Sequence, residues 1–277
     1  MHTLTHRIPR RISRRITVLL AGLAAVLGLS MLGAPSASAA PAPAPAKKPT
    51  IVLVHGAFAD GSSWAPVIER LNKRGFKTVA VANPLRSVRS DAAALDARLA
   101  SIKGPVVLVG HSYGGAVISN VKARSPKVKA LVYVAAFAPA KGEAAAELAG
   151  KYPGSTLGET LAPVALGDGS KDLYIKPSLF RQQFAADVPA RKAALMADTQ
   201  RPIRDVALNE ASGKPAWASI PSWFVLAGAD KNIPFKAQKF MAERADSLAT
   251  VTVKGASHSV AVSRPDTVVK MIARAAR

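Results

Sequence analysis

Cysteine is absent from all 277 residues. That excludes a disulfide framework, a thiolate metal site and a lipid-modified cysteine behind a leader. Acidic residues are scarce, with 17 aspartates and glutamates against 38 lysines and arginines, a formal charge of +21. The basic residues are dispersed. Pairs such as Lys47-Lys48 and Lys73-Arg74 occur, but there is no block of five and no basic stripe interleaved with aromatics. Such scatter favours solubility and loose attraction to anionic surfaces, and no nucleic-acid partner is expected from it. No internal repeat is visible.

The first residues read as a leader. Arg7, Arg10, Arg11, Arg14 and Arg15 form a basic start, Val18 to Leu32 is apolar, and Ala37-Ser38-Ala39 has the small residues of a cleavage site. A signal peptide over 1–39 is expected, and a secreted product with no stable membrane insertion after cleavage. Ser13-Arg14-Arg15-Ile16 fits a twin-arginine signal in part, and ordinary Sec export fits equally. Residues 40–48 alternate proline and alanine, a stiff spacer. The remaining 229 residues, 49–277, suit one α/β domain able to bury its own core. Removing the five leader arginines leaves a charge of +16.

Within that domain, short β-branched runs alternate with helical patterns. Thr50 to Val54, Lys77 to Val81, Pro105 to Val109, Ala130 to Val134, Ser222 to Leu226 and Ala249 to Val253 read as buried parallel strands. Helices are expected over Trp64 to Lys73, Asp91 to Ser101, Gly114 to Ser125, Phe235 to Ala245 and Arg264 to Ala276. The order implies a doubly wound, mainly parallel six-stranded α/β sheet with its active loops at the carboxyl ends of the strands. The alternation stops over about 138–218, where helical stretches such as Pro177 to Phe184 and Pro189 to Thr199 suggest a helical cap insertion.

Ser112 lies in Gly110-His111-Ser112-Tyr113-Gly114-Gly115, between a strand and a helix. Small residues on both sides permit the sharp turn that lifts a serine hydroxyl above a strand end, the nucleophile elbow. Of five histidines, two fall in the leader, His111 adjoins the serine and His55 follows the first strand. His258, in the small-residue loop Gly255 to Ser259 after the last strand, is left as general base. Asp230 follows the strand Ser222 to Leu226 and can hold the imidazole; as an aspartate before a helix it can equally be an N-cap. The order Ser, Asp, His favours catalysis, since Asp246 precedes its strand and lies at the wrong end. The turn Val54-His55-Gly56-Ala57-Phe58 can supply an oxyanion donor from the amide of Ala57, or alternatively Phe58, with the amide of Tyr113 as the second; the side chains of Ala57 and Tyr113 are then free to shape the pocket.

Val52 to Ala57, the Gly110 to Gly115 elbow and Ser257-His258 resemble the α/β-hydrolase superfamily, from Thr50 to the C-terminus, and within it the compact esterases related to plant methylesterases and hydroxynitrile lyases. The resemblance implies a six-stranded core with a helical cap and a serine carboxylesterase without metal or cofactor. It implies Ser112, Asp230 and His258 as the triad, with Ala57 and Tyr113 as oxyanion donors. The lyases of that group carry a threonine in the first turn and a lysine beside the catalytic histidine; Gly56 and Ser259 stand there in this chain, which argues against cyanohydrin cleavage.

Phe58, Phe137, Phe180, Phe184 and Trp217, with Trp64, Leu195 and Met196, are the candidates to line an apolar pocket for a small to medium ester. Two further readings remain open: perhydrolase or haloperoxidase-like use of the same triad, and a ligand-binding protein on a hydrolase fold.

Overall fold

The computed structural model describes residues 48–122 and 127–277. The expected leader, the spacer up to residue 47 and the end of the helix expected over Gly114 to Ser125 lie outside the described residues.

A parallel six-stranded sheet forms the centre. It is built from β1 (Thr50–Val54), β2 (Thr78–Val81), β3 (Val106–His111) and β4 (Val128–Val134), joined later in the chain by two further strands. The helices α1 (Ala65–Lys73), α2 (Val88–Ala100) and α3 (Tyr113–Ser119) alternate with the first four. An insertion follows, containing α4 (Ala145–Gly150), α5 (Leu157–Thr160), β5 (Leu161–Ala165), β6 (Lys171–Ile175), α6 (Pro177–Phe184), α7 (Ala190–Asp198), β7 (Ile203–Arg204) and α8 (Asp205–Asn209). The chain then completes the sheet with β8 (Ser222–Ala227), α9 (Phe235–Arg244), β9 (Ala249–Val253), α10 (Val260–Ser263) and α11 (Pro265–Ala275). The strand order is β2-β1-β3-β4-β8-β9.

Period-two alternation divides the core between the two faces of the sheet. Val52, Val54, Leu108, Leu131, Tyr133 and Phe224 pack on one side with α2, α3 and α9. Ile51, Leu53, Val107, Val109, Val132 and Val225 face the other, against Trp64, Val67 and Leu71 and against Val268, Val269 and Ile272 of α11. Uniform burial holds for β1 and β3 and nearly throughout β4 and β8. The strands β2 and β9 are only partly buried, because they form the two edges of the sheet.

To its helices the insertion adds a small antiparallel sheet, β5-β6-β7. β5 and β6 form a hairpin across Gly167-Asp168-Gly169, where Gly169 takes φ +84°. These strands are mostly half-buried or exposed and carry no buried apolar run, so the pattern that reveals the central strands is missing from them.

Candidate active site

The nucleophile turn is strained and tightly enclosed. Ser112 has φ 54° and ψ −126°, a conformation that costs a non-glycine residue about 1–3 kcal/mol. Its carbonyl accepts from Gly115 N at 2.9 Å and from Phe137 N at 3.1 Å, while its own N–H is taken by Ala135 O at 3.2 Å. Glycine is required where the backbones cross. A Cβ on Gly114 would stand 2.4 Å from Val54 O, one on Gly115 would stand 2.3 Å from Phe137 O, and one on Gly110 would stand 2.6 Å from Gly114 O.

The loop after β1 comes just as close. A Cβ on Gly56 would lie 2.5 Å from the Cβ of Ser112 and 3.1 Å from its Oγ. His55 fixes this loop: its Nδ1 donates to Gly56 O at 2.9 Å and its Nε2 accepts from Asn83 N at 3.0 Å. Burial lowers its pKa, which keeps the ring neutral and consistent with that tautomer. The N–H of Phe58 donates to Arg201 O at 3.0 Å and is therefore unavailable as an oxyanion donor. Ala57 N makes no hydrogen bond among the described residues, and the N–H of Tyr113, in the first turn of α3, has no acceptor within its helix. The Tyr113 side chain reaches back into the core. It is buried, and its hydroxyl donates to Asp91 Oδ2 at 2.9 Å. Burial, with Asp91 beside it, raises the phenol pKa, and burial raises that of Asp91.

Asp230 and His258 meet in the protein interior. Nδ1 of His258 lies 2.7 Å from Asp230 Oδ2, with neither side chain exposed. The carboxylate is also an N-cap-like acceptor, since Oδ1 takes the N–H groups of Asn232 at 2.8 Å and Ile233 at 3.0 Å. The N-cap of α9 itself is Pro234, so this aspartate caps the turn before the helix. Gln238 Nε2 donates to Oδ2 at 3.0 Å, and Gln238 Oε1 accepts from Ala227 N at 3.0 Å. Gln238 has no place in the sequence reading; its signal is a polar residue on the buried stripe of α9 beside Ala237, Met241 and Ala242.

Nε2 of His258 is buried and has no hydrogen-bond partner among the described residues. The imidazole rests against His111, whose ring centre is 4.7 Å away, and against Phe184 at 4.9 Å. His111 Nε2 donates to the backbone carbonyl of His258 at 2.9 Å, so the residue before the nucleophile holds the histidine loop. Burial, and secondarily the neighbouring His258, lower the His111 pKa to about 3 and keep it neutral. Phe184 O accepts from both N and Oγ of Ser259, which ties the same loop to the insertion.

Above Ser112 lies a cavity of about 370 Å³, within the range of small-molecule sites. Phe58 and Phe137 line it, as do Ser112, Ala57 and Tyr113. Its far walls come from the insertion: Ala145, Ala146 and Ala149 of α4, with Leu157, Leu161 and Leu208. Phe180, Phe184 and Trp217 do not line it. Phe180 and Phe184 are core residues, with ring centres 5.1 Å apart and ring planes tilted by 38°. Trp217 donates its indole N–H to Pro139 O and lies under Arg244. Trp64 is buried on the opposite face of the sheet, and Leu195 and Met196 border a separate depression beyond Phe58. Among the described residues no group of three or more histidine, cysteine or acidic side chains is placed to hold a metal ion.

The chain is similar to known proteins in sequence and in fold. The chain is 26% identical to the alpha/beta hydrolase nvfD of Aspergillus novofumigatus, covering 83% of this chain and 97% of that one. It is 26% identical to the esterase PIR7B of Oryza sativa subsp. japonica, covering 79% and 92%. The crystal structure of polyneuridine aldehyde esterase superposes with a TM-score of 0.71 at 20% identity, covering 82% of this chain and 99% of that one. The model of the alpha/beta hydrolase family matches residues 51–271, and the chain belongs to that family.

Proposed function

We propose that this carboxylic ester hydrolase works as a serine esterase, through an acyl-enzyme on Ser112, on small to medium apolar esters. The observation that carries the reading is the buried His258–Asp230 pair, 2.7 Å apart, with Nε2 left unengaged beside the Ser112 turn. Esterase PIR7B adds the reaction class by likeness.

His258 Nε2 takes the Ser112 proton as Oγ attacks the ester carbonyl. The oxyanion forms between the amides of Ala57 and Tyr113, each such donor being worth about 10²–10³ in turnover. Asp230 holds Nδ1–H and stabilises the imidazolium. Collapse expels the alcohol, protonated by His258. Water then gives a proton to the same nitrogen and attacks the acyl-enzyme, releasing the acid and Ser112. A cavity walled by alanine, leucine and phenylalanine, with no charged side chain at its wall, favours an apolar substrate.

Hydrolysis of p-nitrophenyl esters from acetate to palmitate tests this, beside Ser112→Ala and His258→Ala. Turnover that both substitutions abolish supports the esterase and sizes its pocket. No turnover by folded wild type, with peroxide-dependent activity or ligand binding in its place, overturns it. The leader makes the enzyme a secreted one, and N-terminal sequencing of the exported chain is expected to begin at Ala40.

A further inference from the structure

The cavity above Ser112 is apolar except at one end, where Ser155 and Asn232 meet; Ser155 Oγ donates to the backbone carbonyl of Asn232 at 2.9 Å. Asn232 is 3% exposed. Its amide is fixed by Gln183, itself buried, whose Nε2 donates to Lys231 O at 2.9 Å and to Asn232 Oδ1 at 2.7 Å. A backbone carbonyl only accepts, so the atom of Gln183 at this corner is its amino group. Thr156 Oγ1, donating to Gln183 Oε1 at 2.8 Å, agrees with that orientation. The Asn232 atom facing Gln183 is therefore its carbonyl oxygen. Nδ2 is turned the other way and makes no hydrogen bond among the described residues. Two donor protons on a residue that lines a largely apolar cavity leave a place for an acceptor on the ligand.

We propose that Asn232 Nδ2 is a preset hydrogen-bond donor to the substrate, so that the favoured esters carry a carbonyl or hydroxyl oxygen on the acid portion, beyond the scissile carbonyl. The acid portion is the half that stays bonded to Ser112 while water enters, and it is the half a fixed donor at the cavity wall can hold through both steps. This selection rests on the esterase reading and narrows it from apolar esters to oxygen-bearing ones. Asn232 is then a specificity-determining residue as well as part of the turn that caps Asp230.

The test is calorimetric affinity of Ser112→Ala for p-nitrophenyl hexanoate and its 4-oxo and 5-oxo counterparts, with wild-type turnover of the hexanoate measured separately. At least one oxo ester is expected to bind about 3- to 10-fold more tightly than the hexanoate. Added to Ser112→Ala, Asn232→Asp keeps the acceptor for Gln183 but puts an oxygen in place of Nδ2, and should abolish or reverse that ratio. Asn232→Leu should bring it to one. Equal or weaker binding of both oxo esters to Ser112→Ala overturns the inference, as does an advantage that survives both Asn232 substitutions. Because affinity needs no turnover, an inactive wild type counts against the esterase reading alone, and the affinity ratio still decides the donor.

Discussion

His111 Nε2 and the backbone carbonyl of His258 are 2.9 Å apart, which joins the residue before Ser112 to the loop that carries His258. The contact brings two loops from distant parts of the chain into one unit. The carbonyl places a proton on His111 Nε2, and burial keeps the ring neutral.

The pH dependence of stability follows from that neutrality. The folded pKa of His111, about 3, lies below the unfolded value of 6.5, so the unfolded chain binds the extra proton first. Its contribution is complete above pH 6.5 and is lost as pH falls towards 3. The steepest loss from this group is about 1.4 kcal/mol per pH unit. His111→Gln should show a shallower fall in urea-unfolding free energy between pH 7 and 4.5; slopes parallel to wild type would remove His111 as the cause.

Asp230→Asn should lower kcat by about 10³–10⁴ while leaving the fold intact, because the amide cannot hold the imidazolium and favours the wrong tautomer. Ester turnover and circular dichroism of the purified variant check this. A loss below tenfold would show that Asp230 serves only as the cap for Asn232 and Ile233.

Gln238→Leu strips a donor from the Asp230 carboxylate and leaves Ala227 N without its acceptor. A loss of about 1–3 kcal/mol in stability is expected, with a smaller effect on kcat than Asp230→Asn. Chemical unfolding and turnover on the same sample separate the two effects.

Gly56→Ala should abolish both turnover and labelling of Ser112 by a fluorophosphonate, since its Cβ would stand 2.5 Å from the Cβ of the nucleophile. Gly167→Ala, with nothing within 4 Å of its Cβ, is the control; it should change stability by less than about 0.5 kcal/mol. Labelling of Gly56→Ala at the wild-type rate would contradict the close approach of the two loops.

The six central strands and the tight turn at Ser112 were legible in the chain, because each depends on neighbours in sequence. A β-branched run between turn signals makes a strand wherever it lies, and only glycine lets the backbones flanking Ser112 cross so closely. Elimination among three histidines of the domain pointed to His258, and its contact with Asp230 appears only in the fold. Tertiary structure alone decided which phenylalanines meet the cavity. Phe58 and Phe137 do; Phe180 and Phe184 turn into the core, and small alanines of α4 take the wall they were expected to form. Burial of an apolar side chain is favourable against any apolar partner, so composition cannot say which partner it finds until the insertion docks on the sheet. The same docking engages the Phe58 N–H with Arg201 O, leaves that of Ala57 unengaged, and sets Gln238 on Asp230 and Gln183 on Asn232. Those contacts join loops far apart in sequence through directional hydrogen bonds, and no local pattern announces them.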